Sequence, residues 1–337
     1  EFRKWFGNNQ FVVDWENSGF RIKRFVDDDG RLRSRPQNEQ FYFQPGLTWS
    51  AISTGRLSMR LSPRGAMFET KGAMCFPEKE EMLPALAFLN SPVVYSLLQA
   101  LSPTVDFHEG PVGRLPYKSV QLSKKLAEVA VGISESDWDA YETSWNFKTL
   151  PLLSQGNDYG SLSATFTALR AGWQSMTDEM QQLEEENNRI FIDAYGLQDE
   201  LTPEVPRHEI TLTCNPAFRY GPKVAPEDAE DRLLTDTMKE FISYAVGCIF
   251  GRYALEKPGL ILANAGETLE DYLRQIPEPS FAADDDNVIP VLDGSWFEDD
   301  IVSRFRRFLR VTFDDAHFED NLRYIEAAIG RPLRDYF

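Results

Sequence analysis

The sequence is poor in the residues that most site chemistry requires. It holds three cysteines and three histidines among 337 residues. Cys75, Cys214 and Cys248 are odd in number and far apart, with no Cys-x-x-Cys and no His-Glu-x-x-His, so neither a disulfide framework nor a zinc site is supported. His108, His208 and His317 have no nucleophile or further ligand at motif spacing, and each reads as structural. No stretch reaches the roughly 18 uncharged apolar residues of a membrane span. The nearest, Phe241 to Phe250, is bounded by Lys239, Glu240 and Arg252 and reads as a buried amphipathic helix. The opening Glu-Phe-Arg-Lys-Trp-Phe lacks a signal core, a cleavage site and an initiator Met, which points to a piece of a longer chain in a reducing cytoplasm.

Positive charge is also scarce: 35 Lys and Arg stand against 53 Asp and Glu, net -18. Phosphate neutralisation supplies most non-specific nucleic-acid affinity, so this balance opposes a nucleic-acid role for the chain as a whole. The imbalance is local. Residues 1 to 125 carry 17 basic against 13 acidic groups, whereas the remaining 18 basic and 40 acidic groups lie beyond. A polyanion would meet the first third; the acidic remainder suits solvent, protein partners or a basic surface.

What is present is organised around Thr48 to Lys71. From Arg56 to Ser62 the residues alternate, so a strand puts Leu57, Met59 and Leu61 on one face and Arg56, Ser58, Arg60 and Ser62 on the other. Ser62-Pro63-Arg64-Gly65 supplies a turn, and a second strand is expected to return through Met67, Phe68 and Thr70. A solvated sheet face has this alternation; so does a two-stranded ribbon offering Arg and Ser to the DNA major groove. On the second reading the DNA-contacting candidates are Arg56, Ser58, Arg60, Ser62, Arg64 and Lys71, with Trp49 and the basic segment Arg31, Arg33 and Arg35. Aromatic and basic residues also interleave over 1 to 40, which suits a backbone-tracking groove or strands with an apolar inner face.

Further along, Phe41-Tyr42-Phe43 reads as a strand, and Pro84 to Leu101 as a helix kinked or split at Pro92, with Ser91 as N-cap. The polar, aromatic stretch Ser134 to Tyr159 reads as a linker. Leu162, Phe166, Leu169, Trp173, Met176, Met180, Leu183, Asn187, Ile190 and Ala194 alternate in spacings of four and three, a coiled-coil seam of about four heptads. Glu209 to Phe218 reads as a strand ending in an Asn215-Pro216-Ala217-Phe218 turn. Gly247 and Gly251 imply close packing in a helix over Asp236 to Leu255, Val288 to Leu292 reads as a strand, and Trp296 to Ile329 as a helical pair with Phe297, Ile301, Phe305 and Phe308 on one face and Arg304, Arg306, Arg307 and Arg310 answering nearby acids. The expected class is α+β: a mixed strand and hairpin recognition domain over 1–133, a linker over 134–160, and a mainly helical scaffold with a long coiled-coil-like helix over 161–337.

The runs Phe43-Gln-Pro-Gly-Leu-Thr-Trp-Ser50, Phe68 to Phe76, Leu86-Ala-Phe-Leu-Asn-Ser-Pro92 and Leu101-Ser-Pro-Thr104 resemble the region following the catalytic domain of BREX phage-defence adenine DNA methyltransferases of the PglX type. They resemble, more loosely, target-recognition regions of type IIG restriction enzymes. Glu184 to Leu197, Leu212 to Tyr220 and Asp236 to Gly247 are similar to the same family. The resemblance implies a target-recognition and scaffold fragment of an adenine-N6 methyltransferase acting on double-stranded DNA. It also implies S-adenosylmethionine and an Asn-Pro-Pro-Tyr loop in an upstream methyltransferase domain, not in this segment, where Ala217 replaces the second proline. Other phage-defence proteins are possible partners, and a protein-docking module without DNA reading is the alternative. A complete enzyme is disfavoured, since no nucleophile and base pair, metal cluster or phosphate loop is recognisable.

Overall fold

A computed structural model describes residues 2–53, 55–102, 104, 106–154, 160–294 and 296–337. Within the expected linker, residues 155–159 therefore lie outside the described residues, as do Thr54 of the central stretch and Pro103 of the Leu101 to Thr104 run. The chain forms two compact units, each discontinuous in sequence: residues 1–138 with 179–212, and 139–178 with 213–337. The α+β class holds: a small antiparallel sheet among many helices.

In the first unit, α1 (Glu16–Lys23) is interrupted by left-handed backbone at Asn17, Ser18 and Gly19. The strands β1 (Gly46–Ser50), β2 (Met59–Ser62) and β3 (Gly72–Cys75) follow, in the order β2-β1-β3. They are succeeded by α2 (Met82–Leu89), α3 (Pro92–Leu101), α4 (Glu109–Val112) and α5 (Ser123–Asp139). The second unit holds α6 (Pro151–Ser154), α8 (Pro216–Arg219), α9 (Pro226–Ile249), α10 (Leu269–Gln275), α11 (Ile301–Phe313), α12 (Phe318–Ile329) and α13 (Leu333–Tyr336). The long helix α7 (Leu162–Tyr195) passes from the second unit's residues into the first's.

The break at Pro92 is present: α2 and α3 meet at 67°. Proline has no N–H to continue the ladder, and it occupies the first turn of α3 behind Ser91, which stands at the N-cap position without a side-chain cap bond. The Asn90 side chain fills the gap by accepting from the Met59 N–H (2.9 Å) and donating to the Met59 carbonyl (3.0 Å), which ties the end of α2 to β2. The α7 helix runs 34 residues, with Leu162, Leu169, Trp173, Met180 and Asn187 buried. Asn187 donates to the carbonyl of Ala87 at 2.9 Å, satisfying one of the last-turn carbonyls that α2 cannot pair internally. Among the described residues no single helix is long and apolar enough to cross a membrane.

In the second unit the core surrounds Phe241 of α9, whose ring meets Phe305, Phe308 and Phe313 of α11 at 5.7 to 5.9 Å. Gly247 is required by a close approach: a Cβ there would lie 2.5 Å from the Tyr253 ring, which stacks on Tyr244. Gly251 sits at φ +70 against Leu262 and Ala283.

Several expected elements are absent or displaced. Phe41 ends a 3-10 turn, and Phe43 has φ +65, so the strand starts at Gly46. The turn at Arg64-Gly65 forms, with Gly65 at φ +98, yet β2 pairs with β1 and not with a strand through Met67 to Thr70. Residues 209–214 are not a strand: a 3-10 turn ends at Glu209, and Asn215 caps α8 by accepting from the Ala217 N–H at 3.2 Å. Val288 to Leu292 is irregular and largely exposed, and α11 begins at Ile301, leaving Phe297 exposed. Asn215→Ala should cost about 1 kcal/mol, the usual loss for an N-cap; urea unfolding that leaves the midpoint unchanged would show that Asn215 caps nothing of consequence.

Candidate nucleic-acid interface

The central stretch folds inward. One edge of β2 pairs with β1, placing Arg60 opposite Thr48, and the other meets the N-terminal segment, where Trp5 donates to the Met59 carbonyl (2.9 Å) and Leu61 donates to the Trp5 carbonyl (2.7 Å). Paired on both edges, β2 has no open strand edge. Ser58, Arg60 and Ser62 are buried, and so is Trp49, whose indole N–H donates to the Phe107 carbonyl at 2.7 Å. The Arg60 guanidinium donates to the Arg3 carbonyl at 3.2 Å, and burial together with the neighbouring Arg3 pulls its pKa down to about 10. Arg56 is part-exposed, lies over the Tyr95 ring and pairs with Glu209 at 3.4 Å. Lys71 is exposed and pairs with Asp106 at 3.3 Å.

The N-terminal basic residues are interior as well. Arg3 pairs with Asp137 at 2.9 Å. The Lys4 ammonium pairs with Glu184, which also accepts the Trp5 indole N–H at 2.9 Å. All of these groups are nearly inaccessible, so the aromatic and basic interleaving at residues 3–6 builds core and leaves no groove there. Beside them, Lys4, Arg56, Glu184, Glu209, Asn188 and Tyr95 line a small polar cleft.

Besides Lys71, the exposed candidates are Arg31, Arg33, Arg35 and Arg64. Arg33 pairs with Asp27 at 2.6 Å; among the described residues Arg31, Arg35 and Arg64 make no ion pair. Arg31 and Arg33 lie on a short ribbon where the sequence pattern predicts only a loop and a basic segment. Val26 and Leu32 form an antiparallel bridge, and Arg33 donates its backbone N–H to the Phe25 carbonyl. The Asp27 carboxylate closes the turn by accepting from the N–H groups of Asp29 and Arg31. The signal for it is Asp-Gly flanked by Phe25-Val26 and Leu32, a hairpin mark too short to register as strands. Phe25, Val26 and Leu32 are each about half exposed or more, and Arg24 stacks on Phe20 at 4.1 Å.

An aromatic cluster links this region to the β2 turn. Trp15 meets Tyr42 at 5.2 Å, Tyr42 meets Phe68 at 5.1 Å, and Phe68 meets Phe76 at 5.6 Å, while Phe41 stacks on Phe76 at 4.9 Å. Gly65 donates to the Phe43 carbonyl and Phe43 to that of Ala66, so Arg64 sits on the same platform. The unit thus offers unpaired guanidinium groups beside exposed aromatic and aliphatic side chains, the combination that contacts phosphates and stacks on bases.

No family model matches the chain. Over 340 residues it is 37% identical to the adenine-specific methyltransferase PglX of Lacticaseibacillus casei (strain Zhang), covering 98% of this chain and 26% of that protein. Over 333 residues it is 32% identical to the adenine-specific methyltransferase BrxX of Escherichia coli O9:H4 (strain HS), covering 98% of this chain and 27% of that protein. The chain spans about a quarter of the length of these curated relatives. Matched over nearly all its residues by both, it belongs to the PglX-type family of BREX adenine-specific methyltransferases.

Proposed function

We propose that this chain is the DNA target-recognition and scaffold part of an adenine-N6 methyltransferase of a phage-defence system, working in the cytoplasm. In this reading residues 1–133 hold the recognition surface and 161–337 the helical scaffold. S-adenosylmethionine and the methyl-transfer residues belong to the part of the relatives that the chain does not match. Asn215 does not fit the role of holding an extruded adenine amine, because it is buried and its side-chain oxygen is engaged as the α8 cap.

The single observation that carries the reading is the set Arg31, Arg35 and Arg64, exposed and without acidic partners among the described residues, on the same unit as the exposed Phe20, Phe25 and Phe43. Arginine is the commonest base reader and a phosphate clamp. Trp49, Ser58, Arg60 and Ser62 are buried and serve the fold of this unit, while Arg56, Arg33 and Lys71 are paired with acids.

The test is fluorescence anisotropy of the 337-residue chain on duplex DNA between 50 and 200 mM salt, comparing it with the triple variant Arg31→Ala/Arg35→Ala/Arg64→Ala. Every arginine that neutralises a phosphate should, on removal, flatten the log–log salt slope by about 0.9. An arginine that reads a base should, on removal, relax preference at one position by about 1 to 3 kcal/mol. Unchanged affinity and slope in the triple variant would sink the reading.

One observation favours protein docking as a second role. Val288, Val291, Trp296 and Phe297 are exposed among Asp285, Asp286, Asp293, Glu298 and Asp299, an apolar and acidic run suited to a basic protein surface. Retention of other defence proteins, without DNA, would support it.

A further inference from the structure

Asp284, Asp285 and Asp286 follow α9 in space, where Asp284 donates its backbone N–H to the Ile249 carbonyl at 2.8 Å. Side chains of consecutive residues in extended chain point apart. Here a bend over 285–287 turns them together, so that one carboxylate oxygen of each lies within 4.8 Å of the others. Like charges held this close repel one another, and the C-terminal end of α9 adds the negative pole of a 24-residue helix.

Asp284 is 6% exposed, and its Oδ2 is buried with no hydrogen-bond donor. A buried carboxylate is ordinarily paired with a cation or with several donors. The nearest candidate is Arg304, but its guanidinium donates to the Ala282 carbonyl at 2.8 Å and lies over the Phe281 ring at 5.2 Å. No ion pair joins it to these aspartates among the described residues. The Arg304 Nε is likewise buried without a partner and its charge acts on Asp284 and Asp285, so a single guanidinium faces three carboxylates and leaves room for a second cation.

We propose that Asp284, Asp285 and Asp286 bind a hard divalent cation, with Asp284 as the buried ligand and Asp285 and Asp286 as the exposed ones. Oxygens within 4.8 Å of one another fit on a shell of about 2.4 Å radius, the Ca²⁺–oxygen distance. The donor set is all carboxylate, without the imidazole or thiolate that zinc prefers, and water completes the coordination on the exposed side. The site is independent of the DNA surface, lying in the other unit.

The experiment is calorimetric titration of the chelator-stripped 337-residue chain with CaCl2, paired with thermal unfolding. One saturable site with Kd on the order of 0.1 to 1 mM is expected, together with a thermal midpoint that rises with Ca²⁺. Asp285→Asn/Asp286→Asn alters only exposed positions and should weaken binding at least tenfold, with a chelated midpoint no lower than the parent's. Asp284→Asn should gain nothing from Ca²⁺. No saturable heat up to about 10 mM, well above the weakest protein Ca²⁺ sites, would overturn the proposal. So would a double variant that titrates like the parent.

Discussion

Replacing Glu184 by alanine is expected to destabilise the chain by about 3 to 5 kcal/mol, the cost of breaking a buried ion pair from one side. Its carboxylate takes both the Lys4 ammonium and the Trp5 indole N–H, and all three groups are nearly inaccessible. Without it a cation and a donor remain in the interior with no protein acceptor. A loss of this size in a unit of this length should lower the thermal midpoint by on the order of 10 °C. Salt should change the loss little, because buried pairs are weakly screened. The double variant Lys4→Met/Glu184→Leu should recover the part of it that comes from the stranded ammonium, leaving only the Trp5 indole N–H without its acceptor. A Glu184→Ala chain that melts with the parent would show that the pair is open to solvent and that residues 3–6 do not belong to the core.

Trp173→Ala is the second large effect, expected at about 3 to 5 kcal/mol for a buried indole. Trp173 is 6% exposed and meets Phe166 edge-on at 6.5 Å, about two helical turns back along α7. Removing the ring leaves a cavity whose lining α7 cannot collapse to fill, because a continuous helix has no local slack. Ser175, exposed on the same helix, is the control: Ser175→Ala should lie within about 0.5 kcal/mol of the parent. Denaturant unfolding reads both. A midpoint unmoved by Trp173→Ala would make the seam a surface stripe.

The features that the sequence disclosed were local. Pro92 split the helix at the residue where its missing N–H required it, the α7 seam gave both ends of that helix to within a residue, and Gly247 and Gly251 marked close approaches. The partners of the charged groups were not local. Arg3 finds Asp137 across 134 positions and Lys4 finds Glu184 across 180, so no window on the sequence could distinguish a core cation from a surface one. Arg60 shows the same limit: alternation put it on the face opposite Met59, but what meets it there is distant in sequence, as with Arg3, whose carbonyl accepts from the Arg60 guanidinium. Residues 209–214 alternate like a strand but join no sheet among the described residues, and Asn215 caps α8. The exposed ribbon at Phe25 to Arg33 is hidden in the sequence because a single bridge between two short arms carries no periodicity.

The separation between Lys4 and Glu184 has a consequence for synthesis. At about 5 to 20 residues per second, a ribosome takes on the order of 10 to 40 s to add the 180 residues between them. Through that interval the nascent N-terminus carries an ammonium and an indole whose acceptor has not been translated. Pairings between residues so far apart in sequence form late and slowly. A fragment ending at Trp138 would stay in this condition permanently. Release of soluble, cooperatively melting protein should therefore begin only when the coding region extends past Leu212, the last residue of the first unit.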